Sequence, residues 1–220
     1  GWFRKLSFPI VVGGIAYVGY PWAVEEVEEL IEAGADELYC GFLTSDWFDK
    51  YIAGSINRRP GGKESFTTLD ELQSCIRIAH SYGVPVYLAL NEHYYIQKQY
   101  PFILDYIEKV VNIGIDALMV ADLALLLTLR EMKINLKIFI STGGTTFNSE
   151  TARFYQELGA SRIILPRHLT IEEIRGISQN TSNIEFEVFI LNSRCPNVDG
   201  FCPFHHGLAD ESFELLAKNA

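Results

Sequence analysis

Asn112-Ile113-Gly114-Ile115-Asp116 runs directly into the apolar stretch Ala117-Leu118-Met119-Val120, and the same phrase returns as Glu32-Ala33-Gly34-Ala35-Asp36 and as Glu157-Leu158-Gly159-Ala160-Ser161. Each copy reads as the end of an amphipathic helix, a glycine that stops it, a small turn and the start of a strand. Repetition of that unit predicts strands alternating with helices, and therefore a parallel sheet covered on both faces.

Working outward from the repeats, strands are predicted at 9–12, 37–40, 84–90, 117–120, 137–141, 162–166 and 185–191. They are short and almost continuously apolar, as doubly covered strands must be. Helices are predicted at 22–33, 69–82, 100–112, 123–132, 148–158 and 171–178, with a weaker one at 211–218. Pro21 suits the first turn, Thr68 is an N-cap, and Thr170 stands three residues before Glu173 as in a capping box. The expected fold is α/β, a (β/α) TIM-like barrel, complete or lacking its last strand, as one domain over 1–220. A doubly wound sheet is the alternative; Gly13-Gly14 is too short a match to the dinucleotide fingerprint to favour it. The longest insertion, 44–67, carries Arg58-Arg59, Gly61-Gly62 and Lys63. It reads as a lid or substrate loop, the basic residues holding an anion or lying in a solvated loop.

The chain has 220 residues, 48% of them hydrophobic and 21% charged, with a formal net charge of −10. That supports a full core and argues against a duplex nucleic-acid binder, since no broad basic stripe is present. No apolar run approaches the ~18–20 residues of a membrane span. Arg4 and Lys5 are not followed by the apolar segment of a secretion signal, so a cytoplasmic location is expected. There the four cysteines are expected as thiols or metal ligands rather than disulfides. Position 1 is Gly rather than Met, which suggests a processed, tagged or partial chain.

Functional groups of a parallel barrel gather at the strand C-termini. Those positions are Cys40, Asn91-Glu92-His93, Asp122, Ser141-Thr142, Arg167-His168 and Asn192-Ser193-Arg194-Cys195. All are polar or soft ligands, which points to one shared site at one rim. Cys195 and Cys202 stand seven positions apart in a loop, followed by His205-His206. Thiolates at a barrel mouth suit an iron–sulfur cluster or a zinc ion, and this spacing does not select between them. Cys40 ends a strand and reads equally as ligand or core filler, whereas Cys75 lies inside a helix and reads as packing. Arg167 suits a bidentate carboxylate or a structural ion pair, and His168 is placed to act on a substrate. Ser141-Thr142-Gly143-Gly144 offers hydroxyls and close backbone approach to an anion, or is a plain strand-to-helix turn. No nucleophile with a local base partner emerges.

At these residues the chain resembles the collagenase-like peptidase family of unassigned catalytic type (peptidase family U, number 32). The matching segments are Gly34-Ala35-Asp36-Glu37-Leu38-Tyr39, Val86-Tyr87-Leu88-Ala89-Leu90-Asn91 and Gly114 through Asp122. They continue with Ile140-Ser141-Thr142, Asn148, Gly159 through Arg167, and Glu187-Val188-Phe189 leading to Cys195, Gly200 and Cys202. The resemblance implies a barrel-like catalytic domain. It also implies kinship with oxygen-independent hydroxylation proteins that act on ubiquinone precursors or on bases of transfer and ribosomal RNA. The quinone-pathway relatives hold a 4Fe-4S cluster on four cysteines and work as heterodimers. Carried over, Cys195 and Cys202 match two cluster cysteines and Cys40 an early one. The chain departs from the family where Gly143 replaces Gln, His168 replaces Glu, and Leu191-Asn192 replace His-Gly; family members also continue past position 220.

Three readings follow. The first is an iron–sulfur enzyme, or subunit of one, that hydroxylates a small molecule or RNA, with zinc as the other candidate metal. In it Cys195, Cys202 and Cys40 hold the cluster, Arg167, His168 and Asn91 act on the substrate, and Ser141, Thr142 and Asp122 bind it. The second is a peptidase using His205, His206 and Glu187 or Asp210 on a metal and a peptide. The third is a non-catalytic partner of a homologous subunit.

Overall fold

Gly34, Gly114 and Gly159 have φ of 110°, 96° and 96°, a region that side-chain-bearing residues enter only under strain. After each, the chain closes back on its helix: Ala35 N–H donates to Leu30 O at 3.0 Å, Ile115 to Val110 at 3.2 Å and Ala160 to Tyr155 at 3.0 Å. These are Schellman closures, and each turns the chain from helix into strand in the same way. The recurring phrase in the sequence is thus a recurring joint in the fold.

The computed structural model describes residues 18–19, 21, 23–51, 56–58, 65–190 and 197–202. Its strands are β1 (Val18–Gly19), β2 (Glu37–Cys40), β3 (Val86–Leu90), β4 (Ala117–Val120), β5 (Lys137–Ile140), β6 (Arg162–Ile164) and β7 (Glu185–Glu187). Its helices are α1 (Glu25–Ala33), α2 (Ser45–Lys50), α3 (Leu69–Ser81), α4 (Tyr100–Asn112), α5 (Leu123–Glu131), α6 (Ser149–Glu157) and α7 (Ile171–Gln179). The strands form one parallel sheet in sequential order from β1 to β7. A doubly wound sheet would reverse its order at a switch point, so that alternative is excluded.

The sheet is curled. Arg162, the first residue of β6, donates to Glu37, the first residue of β2, at 2.5 and 3.0 Å. A flat sheet would hold those strands roughly 19 Å apart. The result is a TIM-like half-closed barrel; among the described residues no ladder joins β7 to β1.

Two cores follow from strand alternation. In β2, Leu38 and Cys40 face the helices while Tyr39 packs inside the curl. The inner core is small: Tyr87, Ala117, Met119, Phe139 and Ile164. The outer one joins sheet to helices and includes Cys75 and Ile76 of α3.

Several expectations need correction. The predicted strand at 9–12 and helix at 211–218 lie outside the described residues, and β1 was not foreseen. The strands predicted to 166 and 191 stop at Ile164 and Glu187. Leu165 N–H makes the last bond to β7, to Glu187 O at 2.9 Å, and the next donor on that side, the Arg167 N–H, goes to Asp199 instead, so the ladder ends at Ile164↔Glu187. Val188, Phe189 and Ile190 are consequently exposed. The described parts of the insertion are anchored to the barrel. Trp47 of α2 is fully buried, with Phe102 and Tyr51 at 5.5 and 4.7 Å, and Phe66 N–H donates to Gly41 O. Arg59, Gly61, Gly62 and Lys63 lie outside the described residues.

Candidate active site

The C-terminal rim is tied together from Asn91. Its Oδ1 accepts the Arg58 N–H at 3.1 Å and its Nδ2 donates to Ser141 Oγ at 3.2 Å. One side chain therefore links the insertion, β3 and β5. Beside it the buried Glu92 accepts from Arg58 Nη1 at 3.2 Å and from the His93 N–H at 2.9 Å.

Thr142 opens a 3-10 turn, Thr142–Gly144, that directly follows β5. Gly143 there is packed too closely for a side chain. A Cβ would fall 2.8 Å from Ala121 Cβ and 2.9 Å from His93 Nδ1. The His93 ring lies directly against this turn.

Residues 197–202 dock on the same turn. Gly200 has φ +87°, and a Cβ on it would lie 2.0 Å from Thr145 Cγ2. Gly200→Ala is expected to lift the loop and to destabilise by more than about 1 kcal/mol, because both conformation and space refuse a methyl group. Denaturant unfolding with hydrogen exchange at 197–202 checks this; an unchanged midpoint with unchanged protection would refute it.

Asp199 is the anchor of that loop. It is buried, and its carboxylate accepts the Arg167 backbone N–H at 2.9 Å, Nε at 3.1 Å and Nη2 at 2.5 Å. His168 Nδ1 stands 3.9 Å away. Burial alone would raise the Asp199 carboxyl pKa. The hydrogen bonds and charge of Arg167, with His168, outweigh that and hold it below the ordinary value. Asp199 was not singled out from the sequence. The only local signal is an Asp-Gly turn between two cysteines, and nothing there pairs it with a residue 32 positions earlier.

The expected site residues thus divide. Asn91, Ser141, Thr142, Arg167, His168 and Cys202 belong to the rim and the loop seated on it, Cys202 being half-buried. Cys40 is not brought there. Alternation turns it behind the sheet, where it is fully buried and donates to Tyr87 O at 3.7 Å. A hydrogen bond with Cys75, then burial, pushes its thiol pKa up, which disfavours a thiolate ligand. Asp122 caps α5 instead of facing a substrate. It accepts from Leu125 N–H at 2.6 Å, Tyr100 Oη at 3.1 Å and Tyr95 N–H at 3.1 Å. Glu187 packs at 3.5 Å from Arg162 inside the curl. Cys195, His205, His206 and Asp210 lie outside the described residues. Among the described residues no three His, Cys, Asp or Glu side chains converge as a metal site, and no helix is long and apolar enough to cross a membrane. Of the described cysteines, Cys202 alone lies in the loop seated on the rim.

A profile of peptidase family U32 matches residues 22–213. The tRNA hydroxylation protein P of Escherichia coli is 33% identical over 133 residues, covering 60% of this chain and 29% of that protein. The 23S rRNA 5-hydroxycytidine C2501 synthase of Escherichia coli is 28% identical over 186 residues, 84% of this chain and 25% of the synthase. An uncharacterized protease of Methanocaldococcus jannaschii is 31% identical over 178 residues, 78% of this chain and 39% of that protein. This chain therefore spans less than half the length of these three relatives. Among solved structures, a U32 peptidase superposes with a TM-score of 0.62 at 17% identity, over 86% of this chain and 73% of that one. The profile match covers strands β2 to β7, the rim and the docked loop together, and the chain belongs to peptidase family U32.

Proposed function

We propose that this chain is the barrel domain of an RNA-hydroxylating enzyme, or of one subunit of it, with its reaction centre at the C-terminal rim. The observation that carries the reading is the docking of the Cys202 loop on the rim through Asp199 and Arg167. That contact holds the loop that bears Cys202 against the turn after Ser141, where Gly200 meets Thr145 and the Gly143 carbonyl. Relatives named for tRNA and rRNA hydroxylation support the substrate class.

Hydroxylation of a base carbon is a two-electron oxidation, so a redox group has to accept electrons. A cluster held by Cys202, with Cys195 as the sequence-paired ligand, would pass the two electrons one at a time to an external acceptor, the oxygen coming from water or a hydroxyl-bearing co-substrate. Cys40 has no part in it, and zinc, which lacks redox chemistry, fits this reaction less well. Within the chain, Arg167 holds the loop, and His168, exposed beside it, carries a proton to or from the base. Ser141 and Thr142 offer hydroxyls to the substrate.

The test compares nucleosides of cellular RNA by mass spectrometry in cells lacking the gene, cells with it restored, and cells carrying Cys202→Ser. A nucleoside heavier by one oxygen should vanish on deletion, return with the wild type and stay absent with the variant. The variant, purified without oxygen, should also lose most of its iron and acid-labile sulfide. Identical nucleoside profiles in deleted and restored cells would end this reading. The peptidase reading has less support, because Glu187, its described carboxylate, is committed to Arg162.

A further inference from the structure

Two large aromatic side chains stand exposed at the rim. Tyr94 is 55% exposed and Phe201 is 70% exposed. Tyr94 follows His93, whose ring meets Gly143; Phe201 follows Gly200, which meets the Gly143 carbonyl and Thr145. Both rings are therefore one residue away from groups touching the same turn. Their backbones are fixed: the Tyr95 N–H is held by Asp122 at 3.1 Å, and the Phe201 N–H donates to Val198 O at 3.1 Å.

Among the described residues, the charges at this rim point away from phosphate recognition. Arg58 is paired with Glu92 at 3.2 Å and Arg167 with Asp199 at 2.5 Å, while the chain carries a net charge of −10. An RNA ligand would then have to be held largely through its bases. Unpaired bases are recognised by stacking on aromatic faces, which requires no net positive charge. We propose that Tyr94 and Phe201 are stacking platforms for unpaired bases of the RNA, flanking the base presented to the rim. This rests on the RNA reading above and deepens it: the substrate is a single-stranded loop, recognised by π-faces rather than by a basic groove.

The test uses the whole chain, purified without oxygen, with a fluorescently labelled RNA hairpin bearing an unpaired loop and the blunt duplex of its stem. Anisotropy should show the hairpin bound in preference to the duplex, with a shallow salt dependence. Tyr94→Ala and Phe201→Ala should each weaken hairpin binding by about 5- to 150-fold. Phe201→Trp should retain binding and Phe201→Leu should not. Both positions are exposed, so unchanged thermal unfolding is expected of every variant. If the hairpin binds and the alanine variants match the wild type, the stacking inference falls and the RNA reading stands. Full binding by Phe201→Leu would also overturn it, indicating an apolar contact such as a protein partner makes. Wild-type protein that binds neither RNA would remove both.

Discussion

Arg162→Met is expected to destabilise the fold by about 3–5 kcal/mol, the cost of removing one partner from a buried ionic network. Arg162 is the strut of the curl. Its guanidinium donates to Glu37 at 2.5 and 3.0 Å and to Glu185 at 2.8 Å, with Glu187 at 3.5 Å. It also lies 4.5 Å over the Phe139 ring and 5.5 Å over Tyr87. Glu37 and Glu187 are only 14% and 17% exposed, so the methionine variant leaves two nearly buried carboxylates facing each other unpaired. Lysine would be a poor substitute, since a point charge cannot fork between strands β2 and β7. Urea unfolding checks the loss, and adding Glu37→Gln should restore part of it; an unchanged midpoint in Arg162→Met would refute the strut.

The pH dependence of that loss has a definite sign. Burial, more than offsetting Arg162 and aided by Glu37, holds the Glu187 carboxyl pKa above its ordinary value. A raised carboxyl binds its proton more tightly folded than unfolded, so ionisation opposes folding. That penalty is present above the folded value and fades as pH falls toward the unfolded value of about 4.3. Without Arg162, whose charge lowers the Glu187 pKa, that carboxylate has more to gain from protonation. The gap between wild type and Arg162→Met should therefore narrow in mild acid.

The repeated helix–glycine–strand phrase made the fold readable because each copy encodes a local event, a Schellman closure that needs glycine at one position. The sequential sheet followed from it. The strut did not, since a residue opening β6 and one opening β2 are 125 positions apart and meet only once the sheet curls. For the rim, strand ends were found by hydrophobicity, which brought Asn91, Ser141 and Arg167 into view. Face was harder to read. Cys40 ends its strand as expected, but in so short a strand one position decides between barrel interior and helix layer, and its neighbour Tyr39 took the interior. Asp122 shows the complementary ambiguity: a polar residue at a strand end is also the N-cap of the next helix, and the cap prevailed. Asp199 was hidden for the same reason as the strut, its partner being remote in sequence.

On the proposed function, Asp199→Ala is expected to abolish RNA modification in cells while leaving the barrel folded, because it severs the loop of Cys202 from β6 rather than opening the core. Hydrogen bonds to a charged partner contribute about 1.5–3 kcal/mol, enough to turn a docked loop into one undocked most of the time. Asp199→Asn keeps the shape but surrenders the charge, and should fall between alanine and wild type. Because Arg167 holds the Asp199 pKa low, the latch contributes stability above the unfolded value of about 3.9 and loses it only as pH falls through the lower folded value. The Asp199 carboxyl carbon resonance should accordingly show the carboxylate's own titration only in strong acid. A mutant cycle separates two roles of Arg167. If it serves the latch alone, Arg167→Ala, Asp199→Ala and the double variant should lose modification and loop protection equally. If it also touches substrate, Arg167→Ala should weaken hairpin binding beyond what Asp199→Ala does. Wild-type modification and wild-type protection of residues 197–202 in Asp199→Ala would show that other contacts seat the loop, and the rim would lose the connection that makes it a candidate site.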